Sequence, residues 1–100
     1  MKIMRNLTEI KRILNAHKDE IKRKYKVKEI GIFGSFVRGE QRKDSDIDIF
    51  VEFEEVPDLF KFIELERYLE ALLQVKVDLV RKKAIRKELK EQILTEAIII

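Results

Sequence analysis

Residues 34–48 of this 100-residue chain hold two groups of side chains that could do chemistry together. Gly34 and Ser35 follow an apolar run, and a tight turn there would offer free backbone N–H groups to a phosphate. Asp46 and Asp48 stand one residue apart, so alternation along a strand would place both carboxylates on one face, roughly 6.6 Å apart. An anion cradle beside two carboxylates that can share divalent cations suits phosphoryl or nucleotidyl transfer from a Mg²⁺–nucleotide.

A third carboxylate, Asp78, interrupts the apolar sequence QVKVDLV, which is typical of a strand. An unpaired carboxylate within a sheet is costly, so some group must compensate it. An arginine partner is one answer. The other is that this strand neighbours the strand of Asp46 and Asp48, so that three carboxylates converge on two Mg²⁺ ions, with Asp78 on the metal that activates the attacking hydroxyl.

The elements that must position these residues follow the order α-β-α-β-α-β-α, which predicts a small sheet covered by helices in an α/β or α+β arrangement. Apolar, β-branched runs predict strands at 27–33, 46–53 and 74–80. Caps and helical spacing predict helices from Asn6 or Thr8 to about 24, around 36–39, from Val56-Pro57-Asp58 onward, and over about 82–97.

Apolar residues at helical spacing give the predicted buried faces of the helices. In the first helix they are Ile10, Ile13, Leu14, His17, Ile21 and Tyr25. In the helix after Pro57 they are Leu59, Phe62, Ile63, Leu69, Leu72 and Leu73, and in the last helix Ile85, Leu89, Ile93, Leu94 and Ala97. We assign no role to His17, which we expect to be partly buried with a satisfied ring nitrogen.

Length and composition limit the domain count, the location and the metal chemistry that we expect. One hundred residues suggest a single domain over 1–100. The hydrophobic content is 45%, but no apolar run reaches the roughly 18 residues of a membrane-spanning helix, so we expect no membrane association. The amphipathic opening, with Glu9 inside it, is not a signal peptide, so we expect a cytoplasmic location. The chain has no cysteine, which leaves oxygen ligands as the expected metal chemistry.

Charge is segregated along the chain. Residues 1–29 carry ten Lys and Arg against four Asp and Glu, residues 30–80 carry six against twelve, and residues 81–100 carry six against three. Bound cations would offset part of the acidic middle, while the basic flanks could attract a polyphosphate or an acidic partner, or could simply be solvated helix faces. The basic first helix lacks interleaved aromatics, so we do not expect direct nucleic-acid binding.

In these motifs the chain resembles the minimal nucleotidyltransferases of prokaryotic toxin–antitoxin pairs, within the DNA polymerase β-like nucleotidyltransferase superfamily. Gly34-Ser35, ten residues and then Asp46-Ile47-Asp48 match the signature of that superfamily without a gap. The resemblance extends through Arg38-Gly39 and Ser45, and the third carboxylate of the family falls on Asp78. It covers nearly the whole chain and implies a nucleotidyltransferase fold with a small mixed sheet.

The resemblance also implies roles for single residues. Gly34 and Ser35 would hold the leaving phosphates of a nucleoside triphosphate, ATP in this family, Asp46 and Asp48 would bind two Mg²⁺ ions, and Asp78 would bind one and help deprotonate the acceptor. Three basic residues and one serine complete the predicted nucleotide site: Arg38, Arg42, Lys43 and Ser45. Their alternatives are a structural ion pair for Arg38, solvated loop charges for Arg42 and Lys43, and a turn-shaping hydroxyl for Ser45.

The short chain has no residues left for an acceptor-binding domain, so we expect the acceptor to arrive on another molecule. The resemblance points to a HEPN-type ribonuclease toxin whose tyrosine receives AMP, which makes this chain the antitoxin. The alternatives are a small-molecule nucleotidyltransferase of the aminoglycoside-modifying kind and a non-catalytic antitoxin that acts by occlusion. Base preference and assembly, with further copies or with the partner, stay open. The apolar residues 97–100 could serve such an interface, fold back on the core or extend the sheet.

Overall fold

The computed structural model describes residues 6–42 and 44–100. Its helices are α1 Leu7–Tyr25, α2 Ser35–Arg38, α3 Leu59–Leu73 and α4 Lys87–Glu96, with a 3-10 turn at Lys82–Ala84. Its strands are β1 Val27–Phe33, β2 Ile47–Phe53, β3 Val77–Arg81 and β4 Ile98–Ile99.

The four strands form one mixed sheet in the order β3-β2-β1-β4. β1 pairs antiparallel with both β2 and β4, whereas β2 and β3 are parallel and are joined by α3. A mixed sheet with flanking helices confirms the predicted α+β class.

One face of the sheet is apolar and is covered by α1 and α3. Because side chains alternate along a strand, this face takes every second residue of β1, β2 and β3. Its buried strand residues are Ile30, Ile32, Ile47, Ile49, Val51, Val77 and Leu79, which pack with Ile10, Leu14 and Ile21 of α1 and Leu65, Leu69 and Leu73 of α3. The same alternation turns Asp48, Phe50 and Asp78 toward the opposite face, where no carboxylate has to enter the core.

The first helix forms as predicted. Asn6 is the N-cap, and its side chain accepts a hydrogen bond from the Glu9 amide at 2.9 Å, which satisfies one of the free N–H groups of the first turn. His17 is partly buried and its Nδ1 donates to the Ile13 carbonyl at 2.9 Å, so its satisfied ring nitrogen is confirmed.

The predicted buried face of α3 is partly wrong. Leu59 is 69% exposed and Ile63 is 37% exposed, whereas Leu65, which we did not predict, is fully buried. Apolar residues occupy two sides of this helix, so spacing alone does not say which side packs on the sheet. Asp58 is the N-cap, with its carboxylate accepting from the Lys61 amide at 2.8 Å, and Pro57 therefore lies outside the helix.

The predicted last helix is also wrong in its extent. Ile85 and Arg86 are extended, with ψ near 131° and 135°, and they separate the 3-10 turn from α4. No residue of α4 is buried, and Leu89 is 44% exposed. After α4 the chain returns to the sheet, where the short strand β4 pairs with β1. Next to β4, the amide of Ile100 donates to the Ile30 carbonyl at 2.9 Å. The carboxyl-terminal isoleucines thus extend the sheet, and Ile100 is 8% exposed.

The outer edge of β3 is covered by two glutamates of α3. Glu70 accepts from the Val77 amide at 3.0 Å, and Glu66 accepts from the Leu79 amide at 3.2 Å. These two residues are one helical turn apart, so their carboxylates reach alternate amides of the strand. No helix within residues 6–42 and 44–100 is long and apolar enough to cross a membrane.

Candidate active site

The Gly34-Ser35 turn joins β1 to α2 at the end of the sheet that carries the carboxylates. Gly34 has φ 80° and ψ −152°, a conformation that is almost restricted to glycine. A Cβ atom at Gly34 would overlap the Asp48 carboxylate, so the missing side chain also makes room for that group. The backbone of the turn therefore lies in contact with a carboxylate, as a phosphate-and-metal site requires.

Asp48 and Asp78 are neighbours on adjacent strands. The parallel register of β2 and β3 pairs Asp48 with Asp78, and adjacent strands lie about 4.8 Å apart. This register confirms the expectation that the strand of Asp78 lies next to the strand of Asp48. No arginine is needed to compensate Asp78 within the sheet, because its side chain is exposed on the open face.

This proximity changes the acidity of Asp48. Its pKa is raised from 3.8 to about 6, first by burial, then by the charge of Asp78 and a hydrogen bond with it, and then by the charge of Asp46. The Arg38 guanidinium acts in the opposite direction. Asp46 and Asp78 therefore both act on Asp48, and a bound cation would relieve the repulsion among these carboxylates.

Asp46 lies just before β2 and is exposed. Within the described part of the chain, no three acidic or histidine side chains converge closely enough to form a ready metal cluster. Asp48 and Asp78 still offer the hard oxygen ligands that Mg²⁺ prefers, and Mg²⁺ typically takes only one or two protein carboxylates together with phosphate oxygens. The donor set therefore fits Mg²⁺ delivered with a nucleotide better than a cage made by the protein alone.

The loop between the two halves of the site is closed by Ser45. Its hydroxyl accepts from the Arg42 amide at 2.6 Å, and its own amide donates to the Arg42 carbonyl at 3.0 Å. Ser45 thus shapes the turn before β2. Arg42 is exposed, whereas Lys43 lies outside the described residues.

Arg38 ends α2 and forms two ion pairs. Its Nε donates to Glu40, and its Nη1 donates to Glu96 of α4 at 2.9 Å. Hydrogen bonding to Glu40, opposed by partial desolvation, is the main reason that the pKa of Arg38 is raised. The ion-pair alternative for Arg38 is therefore present. No sequence pattern pointed to Glu96, which is separated from Arg38 by 58 residues.

An aromatic pair lies beside the carboxylates on the same face of the sheet. Phe50 is fully buried and its ring centroid lies 6.0 Å from that of Phe33, the residue paired with Asp48 across the sheet. A Cβ at Gly31 would overlap the Phe50 ring. Lys82 lies over the Phe50 ring and pairs with Glu29 at 2.7 Å, so it covers part of this face.

Residues 14–100 match the family model described as a nucleotidyltransferase domain. A protein adenylyltransferase MntA from Thermococcus cleftensis is 54% identical over 95 residues, which is 95% of this chain and 96% of that protein. A solved structure assigned to the minimal nucleotidyltransferases has a TM-score of 0.80 at 37% identity and covers 94% of this chain and 95% of its own.

A second solved structure contains a partner. It is a tri-AMPylated HEPN toxin from Shewanella oneidensis in complex with an MNT antitoxin. Its matching chain has a TM-score of 0.64 at 26% identity, over 90% of this chain and 70% of its own.

Proposed function

Since the chain belongs to the nucleotidyltransferase domain family, we propose that it transfers AMP from ATP to a tyrosine hydroxyl of a HEPN toxin and thereby acts as an Mg²⁺-dependent antitoxin. The observation that carries the proposal is the contact between Gly34 and Asp48 together with the pairing of Asp48 and Asp78. These two features bring a phosphate-binding turn and two carboxylates to one end of one sheet face. The relatives support the reaction and the partner, because one is named a protein adenylyltransferase and the other binds an AMPylated toxin.

In this mechanism the backbone of Gly34 and Ser35 holds the phosphates that leave. Asp46, Asp48 and Asp78 are the residues that would hold Mg²⁺, which supplies charge neutralisation and a fixed triphosphate geometry when it is bound. The acceptor oxygen forms a bond to the α-phosphorus, the bond from that phosphorus to the bridging oxygen breaks, and pyrophosphate leaves. Asp78, which is the exposed member of the pair, would take the proton of the acceptor hydroxyl.

The acceptor comes from a second molecule. The carboxylates lie on a sheet face that α1 and α3 do not cover, and Asp78 is exposed there, so a protein side chain can approach it. A tyrosine suits this geometry, because its rigid ring carries the hydroxyl well beyond the toxin backbone. The mechanism does not depend on whether further copies of either chain assemble.

The test combines the chain, a HEPN partner protein, Mg²⁺ and α-labelled ATP. Label should enter the HEPN protein on a tyrosine, and chelation of Mg²⁺ should prevent it. Asp46→Asn should abolish transfer while the melting temperature is preserved, because an amide supplies less negative charge to Mg²⁺. Asp44→Asn, at an exposed turn residue just outside the site, is the matched control and should transfer normally.

A second variant separates chemistry from binding. Asp78→Ala should bind Mg²⁺–ATP within a few-fold of the wild type but transfer at least ~100-fold more slowly, as expected for losing general-base and metal help. Label in a small molecule instead of the HEPN protein, or normal transfer by Asp46→Asn, would contradict the proposal.

A further inference from the structure

The Arg38–Glu96 ion pair joins the candidate site to the carboxyl-terminal part of the chain. Arg38 lies one turn after Gly34, and its amide donates to the Gly34 carbonyl at 3.2 Å. Gly34 is itself in contact with the Asp48 carboxylate. The backbone that positions Arg38 is thus the same turn that contacts Asp48.

The guanidinium is held from two sides. Glu40 contacts Nε and Glu96 contacts Nη1, and among the described residues no carboxylate pairs with Nη2. The two glutamates differ in their surroundings, because the Glu40 side chain is 60% exposed and the Glu96 side chain is only 23% exposed. Glu96 is therefore the better-fixed of the two partners.

Glu96 owes its position to the end of the chain. It is the last residue of α4, and the next residue, Ala97, donates to the Ile93 carbonyl at 2.9 Å. Two residues later the chain is pairing with β1, where Ile99 lies opposite Gly31. This pairing fixes the end of a helix that has no buried residue of its own.

We propose that Glu96 is a positioning residue that holds the Arg38 guanidinium beside Asp48, where its remaining N–H groups meet the triphosphate. This inference rests on the proposed function. An exposed ion pair contributes little to stability, so stability alone is a weak reason for two carboxylates on one guanidinium. A planar guanidinium held through Nε and Nη1 keeps the N–H groups of Nη2 in a fixed direction, and fixed planar donors of this kind are what arginine uses to recognise phosphate oxygens.

The test measures the dissociation constant of Mg²⁺–ATP by titration calorimetry for the full chain and its variants. Glu96→Ala should weaken binding about tenfold, the scale of a misplaced charged hydrogen bond. Glu96→Gln, which keeps an acceptor oxygen, should fall between the wild type and Glu96→Ala. Glu91→Ala, an exposed glutamate on the same helix, is the matched control and should bind as the wild type does.

The decisive variant is the combination of Arg38→Ala with Glu96→Ala. If Glu96 acts through Arg38, the double variant should bind no more weakly than Arg38→Ala alone, because the group that Glu96 positions is already gone. Additive losses would show that Glu96 acts in another way, and normal binding by Glu96→Ala would overturn the inference outright. If the wild type itself fails to bind Mg²⁺–ATP, the proposed function falls first and this inference falls with it.

Discussion

Replacing Asp48 by asparagine should stabilise the metal-free protein at neutral pH, although the same change should abolish transfer. The reason is the pKa of this carboxyl, which burial and the neighbouring Asp78 raise from 3.8 to about 6. Between these two values the folded protein holds a proton that the unfolded chain releases. The contribution of this carboxyl to stability is therefore fully present below pH 3.8 and is lost as the pH rises through about 6.

The size of the effect follows from the same values. A carboxyl whose pKa rises from 3.8 to about 6 on folding costs about 3 kcal/mol once it is ionised, at 1.36 kcal/mol per pH unit. Asp48 is only partly buried, so solvent screening reduces this figure to about 1.5 kcal/mol. For a domain of this length, that corresponds to a melting temperature roughly 6–12 °C higher in Asp48→Asn at pH 8.

The assay is thermal unfolding in a chelating buffer at a series of pH values from 4 to 8, for the wild type, Asp48→Asn and Asp44→Asn. The advantage of Asp48→Asn should be small at pH 4, grow up to about pH 6 and then stay constant. Added Mg²⁺–ATP should stabilise the wild type and do little for Asp48→Asn. A variant that is less stable than the wild type, or a difference that does not change with pH, would refute the electrostatic reasoning.

Two further changes test the geometry around the site. Gly34→Ala should destabilise the protein by about 2 kcal/mol or more and stop transfer, because backbone strain of about 1–3 kcal/mol adds to the overlap with the Asp48 carboxylate. Gly39→Ala, also at positive φ but with open space around it, is the control in urea unfolding and should cost only the strain; equal losses would contradict the steric argument. Removing Ile98–Ile100 should lower stability by about 2–4 kcal/mol in calorimetry, since Ile100 is buried and β4 is lost, whereas an unchanged melting temperature would assign the tail to another role.

The parts of the fold that the sequence predicted are those set by local signals. The strand over residues 27–33 has the bounds of β1, and the Asn6 cap is correct, because alternation and capping depend on residues close together in the chain. The pairing of Asp48 with Asp78 was also predictable, since an aspartate in an apolar strand needs an open sheet face. Two of these features, the strand that ends at the Gly34-Ser35 turn and the pairing of Asp48 with Asp78, give the centre of the candidate site.

The features that the sequence did not predict depend on tertiary packing. The buried side of α3 was wrong at Leu59 because that helix is apolar on two sides, and only contact with the sheet chooses between them. The interruption of the last helix at Ile85 leaves no strong local signal. Glu96 could not be assigned, because a helical glutamate far from the motif looks the same whether or not it contacts an arginine.

The two glutamates along β3 bear on how copies of this protein meet one another. An edge strand with open amides is a template on which a second chain can add its own strand, and such growth leads to filaments and aggregates. Here Glu66 and Glu70 already occupy the amides of Leu79 and Val77. A foreign strand would have to displace two carboxylates and bury its backbone beside them, so this edge resists aggregation even when many copies are crowded together. Recognition of other chains is thereby directed away from the β3 edge.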